Sequence, residues 1–237
     1  MSRMRAPSSE PWRAMNTSRA RAWAATYGIL LGALSSVALS LVTVLLLMPP
    51  AKLQFFFAEG IVAGGSGHSM EVVLLAAVWI IAAAALGSIL AAVGYLCWLY
   101  GAANNARLLG ADAPRTKPWD AVVCWFIPLL NLIRPYGVVR AIYSRSEPRT
   151  PRVQGDWVAR FASLFPLWWG SWLLSFPLDA ISKTRDDGPS ALVFGVSSSA
   201  LKLVAALCAI AIVWSIQLRQ EELARVGPAF DGEDLGP

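Results

Sequence analysis

The sequence predicts an all-α integral membrane protein with four transmembrane helices and a helical hairpin, re-entrant or interfacial, on the cytoplasmic side. Three observations predict this class. Of the 237 residues, 56% are hydrophobic and only 15% are charged, against about 25% charged in soluble domains. The apolar residues come in long uninterrupted blocks. Lysine and arginine concentrate in alternate connecting segments, as membrane topology requires.

Four apolar blocks are long enough to cross about 30 Å of hydrocarbon at about 1.5 Å per residue, and only helices suit them. These predicted spans cover residues 28–48, 72–100, 161–181 and 192–216. Pro49 and Pro50 end the first span. The spans define a membrane domain over residues 25–217, which follows a basic tail (1–24). An acidic tail (218–237) rich in Gly and Pro is expected to be disordered.

The distribution of basic residues predicts the orientation of the spans. Five arginines precede the first span, and nine basic residues lie between the second and third spans. The first connecting loop has only Lys52, and the last has only Lys183 and Arg185. Because basic loops stay in the cytoplasm, both termini are expected there. A cleaved targeting peptide is the alternative for the N-terminus, but the first apolar run is longer than a typical signal core.

A shorter apolar segment between the second and third spans, residues 119–146, is called here the broken segment. Its apolar centre, 121–133, covers about 20 Å as a helix, too little for a span. Pro128 and Pro135 are expected to break it twice by moving Ile127 and Arg134 away from helical geometry. Asn131, between the prolines, is placed to bond the freed backbone groups.

Beyond Pro135, the residues Val138, Val139, Ile142 and Tyr143 recur at helical spacing opposite Arg140, Ser144 and Arg145. This pattern is typical of an interfacial amphipathic helix. We therefore expect a hairpin that dips into the inner leaflet, with a loop docked passively under the helices as the alternative.

The stretches CWLYGAANNARLLG, PWDAVVCWFIPLLNLIRPYGVVRAIY, PLWWGSWLL and RQEEL resemble a bacterial membrane family catalogued as domain of unknown function 4328. The resemblance covers roughly residues 98–220 and implies a bacterial plasma membrane location. It marks as characteristic Trp98, Asn105, Gly110, Trp119, Trp125, Phe126, Pro128, Asn131, Arg134, Pro135, Trp168, Trp169 and Gln220. The chain departs from the family at Ala141, where members usually carry Glu. The family implies no activity.

Reactive side chains are sparse in this sequence. His68 is the single histidine and is expected in an outer loop, and no cluster of cysteines or carboxylates has metal-ligand spacing. No serine or cysteine has a base that could activate it. The sequence therefore predicts no catalytic residue, no metal and no cofactor, and a protein that is not an enzyme. Lys202 lies inside a span, where it either extends to the headgroups or pairs with Asp179.

Small residues recur every four positions on span one, from Gly28 through Gly32 and Ser36 to Ser40. A similar stripe, Ala83, Gly87 and Ala91, lies on span two, and such stripes let helices approach closely. We expect packing within the chain, with contact in a homo-oligomer as the alternative. Tryptophans on span three are expected in core packing, with the wall of a lipid or small-molecule groove as the alternative.

The arginines of the broken segment, with Arg149 and Arg152 beyond it, would attract anionic lipid. The acidic tail is expected to screen this patch, and nucleic acid is not expected as a partner. The sequence thus favours a scaffold or regulator that binds anionic lipid or a protein partner through the hairpin. A small transporter or channel that uses the proline-broken backbone is the alternative.

Overall fold

A computed structural model describes residues 10–47, 68–109, 117–146, 163–185 and 188–226. Seven helices and no strand occur in these ranges. They are α1 (Glu10–Leu47), α2 (His68–Leu109), α3 (Pro118–Val123), α4 (Pro128–Asn131), α5 (Arg134–Arg145), α6 (Leu164–Thr184) and α7 (Gly188–Val226). His68, predicted in a loop, is the first residue of α2. Gly110, Arg149, Arg152 and the acidic residues 231–234 lie outside the described ranges.

Three of these helices are long and apolar enough to cross a membrane: Arg19–Ser40 in α1, Leu75–Arg107 in α2 and Pro189–Ala224 in α7. Within Leu75–Arg107, only 11% of the most apolar 18-residue segment is buried inside the protein. Side chains such as Trp79 (73% exposed) and Leu86 (59%) need lipid around them. The predicted membrane character of the chain is confirmed by these three helices.

Helix α6 corresponds to the predicted third span, 161–181, but it is not among these three. It has 21 residues, about 31 Å at the helical rise, so its length is sufficient. Serine, glycine, proline and Asp179 interrupt its apolar residues. Four spans are therefore not established by length and composition alone.

Two helices extend beyond the boundaries predicted from sequence. Helix α1 begins at Glu10, within the residues assigned to the basic tail. Helix α7 continues to Val226, so residues 218–226, assigned to a disordered tail, are helical. Polar residues at the end of an apolar block resemble a solvated tail, but here they continue the helix because their side chains bond to neighbouring helices, as described below.

The described chain divides into two compact units, and α1, α2, α6 and α7 contribute residues to both. Unit 1 comprises Met1–Tyr27, Val93–Pro166 and Cys208–Pro237, and unit 2 comprises Gly28–Ala92 and Leu167–Leu207. In unit 2, α1 and α2 pack through their small residues. A Cβ added at Gly28 would lie 2.8 Å from the Ala91 Cα, and one at Gly87 would lie 2.8 Å from the Ser35 Oγ. The two predicted stripes thus meet within the chain.

The remaining contacts of unit 2 are polar pairs and an aromatic ladder. Ser40 and Ser199 are hydrogen-bonded at 2.6 Å, and Ser198 Oγ donates to the Ser175 carbonyl. Lys202 Nζ lies 3.6 Å from Asp179 Oδ1, as the pairing hypothesis requires, while Lys183 binds the other carboxylate oxygen at 2.7 Å. The ladder runs along α6 through Trp168, Trp169, Trp172 and Phe176.

In unit 1 the broken segment folds as α3, α4 and α5. Ile127 precedes Pro128 with extended backbone (φ −97°, ψ 112°), which confirms the first predicted break. The second break lies one residue earlier than predicted, because Ile133 leaves helical geometry (φ −124°) and Arg134 already belongs to α5. Both prolines occupy the first turn of a new helix, where a missing amide hydrogen leaves no internal bond unmade.

The apolar face of α5 is buried against protein. The buried residues on this face are Val139, Ile142 and Tyr143, which are 0%, 4% and 8% exposed. The opposite face carries the exposed residues Arg140, Ser144 and Arg145. The predicted amphipathic pattern is thus present. Protein, and not the membrane, covers most of its apolar side.

Candidate functional site

Gln220 joins three helices of unit 1. Its side-chain nitrogen donates to the Ala102 carbonyl on α2 at 2.9 Å and to Ser146 Oγ, directly after α5, at 3.1 Å. Its side-chain oxygen accepts from Asn105 Nδ2 at 3.3 Å. Gln220 is 3% exposed and Ser146 is fully buried. Because a buried polar group is costly to leave unpaired, these bonds fix α2, α5 and α7 relative to one another.

Two charged neighbours on α7 extend these contacts. The guanidinium of Arg219 lies 3.8 Å from the ring centroid of Tyr143 and donates to its hydroxyl at 2.8 Å. Glu221 accepts two hydrogen bonds from Arg19 of α1, each 2.6 Å long, and a third from Gln217. The polar cluster is defined as Arg19, Asn105, Tyr143, Ser146, Gln217, Arg219, Gln220 and Glu221.

The polar cluster lies towards the ends of two long helices. The apolar stretches Leu75–Arg107 and Pro189–Ala224 have 33 and 36 residues, about 50 and 54 Å at the helical rise. Both exceed the hydrocarbon thickness of about 30 Å. The polar ends of α2 and α7 therefore have length to extend beyond the hydrocarbon.

An exposed apolar surface covers α3, α4 and their flanking turns. Phe126 is 70% exposed, Leu129 is 79% and Ile133 is 76%. Trp119, Val123, Ile127 and Leu132 are also exposed. The apolar surface is defined by these seven side chains. Monomeric soluble proteins rarely expose large apolar patches, and such patches often mark interaction sites.

A cavity of about 430 Å³ lies beside this surface, between α2, α3 and α5. Much of its wall is formed by alanines of α2 and α3 and by Gly137, Val138, Ala141 and Ile142 of α5. A Cβ added at Gly137 would meet nothing within 4 Å. The charged residues that line it, within the described part of the chain, are Lys117, Arg134, Arg145 and Asp120. The Asp120 carboxylate accepts the Lys117 backbone amide at 3.0 Å.

The site residues predicted from sequence fall into three places. The structure brings Asn105 and Gln220 into direct contact, although 115 positions separate them. Those in or beside the broken segment are Trp119, Trp125, Phe126, Pro128, Asn131, Arg134, Pro135 and Arg140. Trp168, Trp169 and Lys202 belong to unit 2, where both tryptophans are buried, as core packing requires.

Two predicted residues contain buried polar atoms that have no hydrogen-bond partner among the described residues. The Asn131 side-chain oxygen is buried and, among the described residues, accepts no hydrogen bond. Its predicted role in bonding freed backbone groups is therefore not seen. The Trp98 indole nitrogen is likewise buried without an acceptor in the described ranges, and Trp98 itself is only 2% exposed.

Sequence reasoning missed most of the polar cluster. Arg19 was counted only as topological charge, and Gln217, Arg219 and Glu221 were not singled out. One signal was available, because positions 217, 220 and 221 continue the helical spacing of the preceding span onto one face. Their partners are far away in sequence and no local pattern indicates them.

Reactive and metal-ligating groups are dispersed in the described residues. No group of three His, Cys, Asp or Glu side chains comes together there to hold a metal ion. Cys124 is buried and its thiol donates to the Ala121 carbonyl. Burial raises the pKa of this thiol, which lowers the fraction of nucleophilic thiolate at neutral pH.

The geometry can be compared with known families. The model of the domain of unknown function DUF4328 matches residues 66–220. The chain belongs to the DUF4328 family. The matched range contains α3, α4 and α5 complete, together with the Asn105–Gln220 contact. No curated protein and no solved structure gives a significant match.

Proposed function

We propose that this DUF4328 chain is a non-enzymatic scaffold or regulator that binds anionic lipid through the broken segment. The observation that carries the proposal is that the broken segment exposes both the apolar surface and the three arginines Arg134, Arg140 and Arg145. Apolar side chains beside cations match the boundary between acyl chains and anionic headgroups. A partner protein with an acidic, apolar face is the other occupant.

The proposed topology has four spans with both termini in the cytoplasm of a bacterial cell. The length of α6 and its exposed Leu167, Leu174 and Phe176 support a fourth crossing. The abundance of basic residues before α1 and between α2 and α6 supports the orientation. In this arrangement the broken segment enters and leaves through the inner leaflet.

Spin labels test whether the apolar surface lies in lipid. Cysteine would replace Leu129 or, as a matched control, Ser144 on the exposed face of α5, in a chain whose three native cysteines are changed to serine. In liposomes, the label at position 129 should collide with oxygen more than with a water-soluble nickel chelate. The label at position 144 should show the opposite preference. Equal access of the nickel chelate to both positions would rule out insertion.

Lipid selectivity tests the function itself. The purified full chain would be placed in nanodiscs of phosphatidylcholine alone or with phosphatidylglycerol, and its thermal unfolding midpoint would be measured. We expect phosphatidylglycerol to raise the midpoint, because each basic residue near an anionic surface contributes about 1 kcal/mol. Changing Arg134, Arg140 and Arg145 together to Gln should remove most of the increase. Identical midpoints for the wild-type chain in both lipids would refute the proposal.

A further inference from the structure

We infer that the cavity between α2, α3 and α5 is a specific site for the phosphate headgroup of one anionic phospholipid. This inference rests on the proposed function and deepens it, because it replaces general attraction to an anionic surface with one stoichiometric site. The chemistry recognised is a phosphate ester that carries an apolar chain.

The charge balance of the cavity supports an anionic occupant. The described lining residues include three cations, Lys117, Arg134 and Arg145, and one acid, Asp120. Among the described residues, none of these three cations lies within ion-pairing distance of a carboxylate. The Asp120 carboxylate is engaged by the backbone amide of Lys117. Among the described lining residues two positive charges thus remain in excess, and a phosphate accepts hydrogen bonds from several cationic donors at once.

The shape of the cavity supports a small headgroup. Its volume of about 430 Å³ lies within the range typical of small-molecule sites, about 300 to 1,000 Å³. Gly137 and Ala141 contribute little side chain to the α5 wall, and a Cβ at Gly137 meets no atom within 4 Å. The interior therefore has space for a phosphate and its glycerol.

The surroundings favour a lipid over a soluble phosphate. Ile133 lines the cavity and, at 76% exposed, is also part of the apolar surface. The basic interior is thus continuous with a surface suited to acyl chains. Trp119 precedes Asp120, which lines the cavity. The ring centroids of Trp119 and Tyr100 lie 5.5 Å apart, and Trp119 is 63% exposed. Exposed aromatic side chains of this kind occupy the headgroup level of membranes.

Native mass spectrometry of the detergent-purified full chain tests the inference. The chain would be titrated with phosphatidylglycerol in the presence of excess phosphatidylcholine. One phosphatidylglycerol should be retained. Its affinity should fall about fivefold for each of Lys117→Gln, Arg134→Gln and Arg145→Gln, and on the order of 100-fold for the triple variant.

Arg140→Gln is the matched charge control, because Arg140 is exposed on the same helix but does not line the cavity. It should weaken the affinity less than each of the three cavity variants does, because Arg140 supplies only general attraction to an anionic surface and does not face the bound headgroup. Gly137→Leu is the matched steric variant, which fills the cavity without altering charge. It should weaken binding at least about tenfold while the unfolding midpoint stays the same or rises.

The outcomes separate the two proposals. A wild-type chain without preference for phosphatidylglycerol overturns both. If Arg140→Gln weakens binding as much as Arg134→Gln, and Gly137→Leu has no effect, binding is diffuse: the cavity inference fails and the proposed function stands. If glycerol phosphate or inorganic phosphate displaces the lipid at equal concentration, the site recognises soluble phosphate and the lipid assignment is overturned.

Discussion

Unit 1 and unit 2 are each stabilised internally by a different kind of contact. In unit 2, glycines and alanines of α1 and α2 approach until backbone meets backbone, and one ion-pair group joins α6 to α7. In unit 1, long polar side chains of α7 reach α1, α2 and the end of α5. Small residues give close packing without directional bonds, whereas the polar cluster specifies which groups must meet.

The largest effect is expected from Gly28→Leu in unit 2. Its Cβ alone would lie 2.8 Å from the Ala91 Cα, so the helices must separate. We expect a loss of about 3 kcal/mol or more in the free energy of unfolding. Denaturation by sodium dodecyl sulfate in mixed micelles measures it. Gly170→Ala is the control, because a Cβ there meets nothing within 4 Å, and a comparable loss in that variant would refute the explanation.

The next effect is expected from Gln220→Leu in unit 1. It leaves the Ala102 carbonyl, Ser146 and Asn105 without their shared bonds, and a buried unpaired group costs about 1 to 3 kcal/mol. We expect a loss of about 2 to 3 kcal/mol in the same assay. Leu218→Ala, on the exposed side of α7, should cost less than about 1 kcal/mol. If the loss in the double variant Gln220→Leu/Ser146→Ala equals the sum of the losses in the two single variants, Gln220 and Ser146 are not energetically coupled.

A smaller effect is expected from Glu221→Gln. The change weakens two bonds to Arg19, whose side chain is 55% exposed and can return to water. Since solvent screens such pairs, we expect a loss of about 1 kcal/mol. A double-mutant cycle with Arg19→Gln measures the pair. A coupling near zero would mean that this contact does not contribute to holding α1 against α7.

The smallest effect, and one of opposite sign, is expected from Gly137→Ala. Gly137 lies inside α5 with open space at its Cβ position. Alanine in a helix interior is favoured over glycine by about 1 kcal/mol, so the midpoint of thermal unfolding should rise slightly. A fall in this midpoint would show that the space beside Gly137 is already filled. Gly137 would then resemble Gly28, where a Cβ has no room.

The sequence was sufficient for features that depend on local chemistry. Apolar length predicted the long helices, and the missing amides of Pro128 and Pro135 predicted both breaks to within a residue. It was not sufficient for the environment of α5. An apolar helix face suits lipid and protein equally, and only the tertiary fold places Val139 and Ile142 inside the protein.

The candidate site was predictable only in part. The arginines of the broken segment were named from sequence, but the cavity was not, because Ala103 and Ala106 approach α5 from a distant part of the chain. The Asn105–Gln220 contact joins positions 115 apart, which no periodicity reveals. The resemblance marked both residues as characteristic without indicating that they touch.

The bond between Arg19 and Glu221 joins residues 202 positions apart. A ribosome that inserts the chain from its N-terminus releases Arg19 long before Glu221 exists. Until Glu221 has been synthesised, Arg19 of α1 therefore lacks the carboxylate that it binds in the folded chain. A chain that ends before Gln220 lacks the partners of Arg19, Asn105 and Ser146, so α1, α2 and the end of α5 lose these polar contacts with α7.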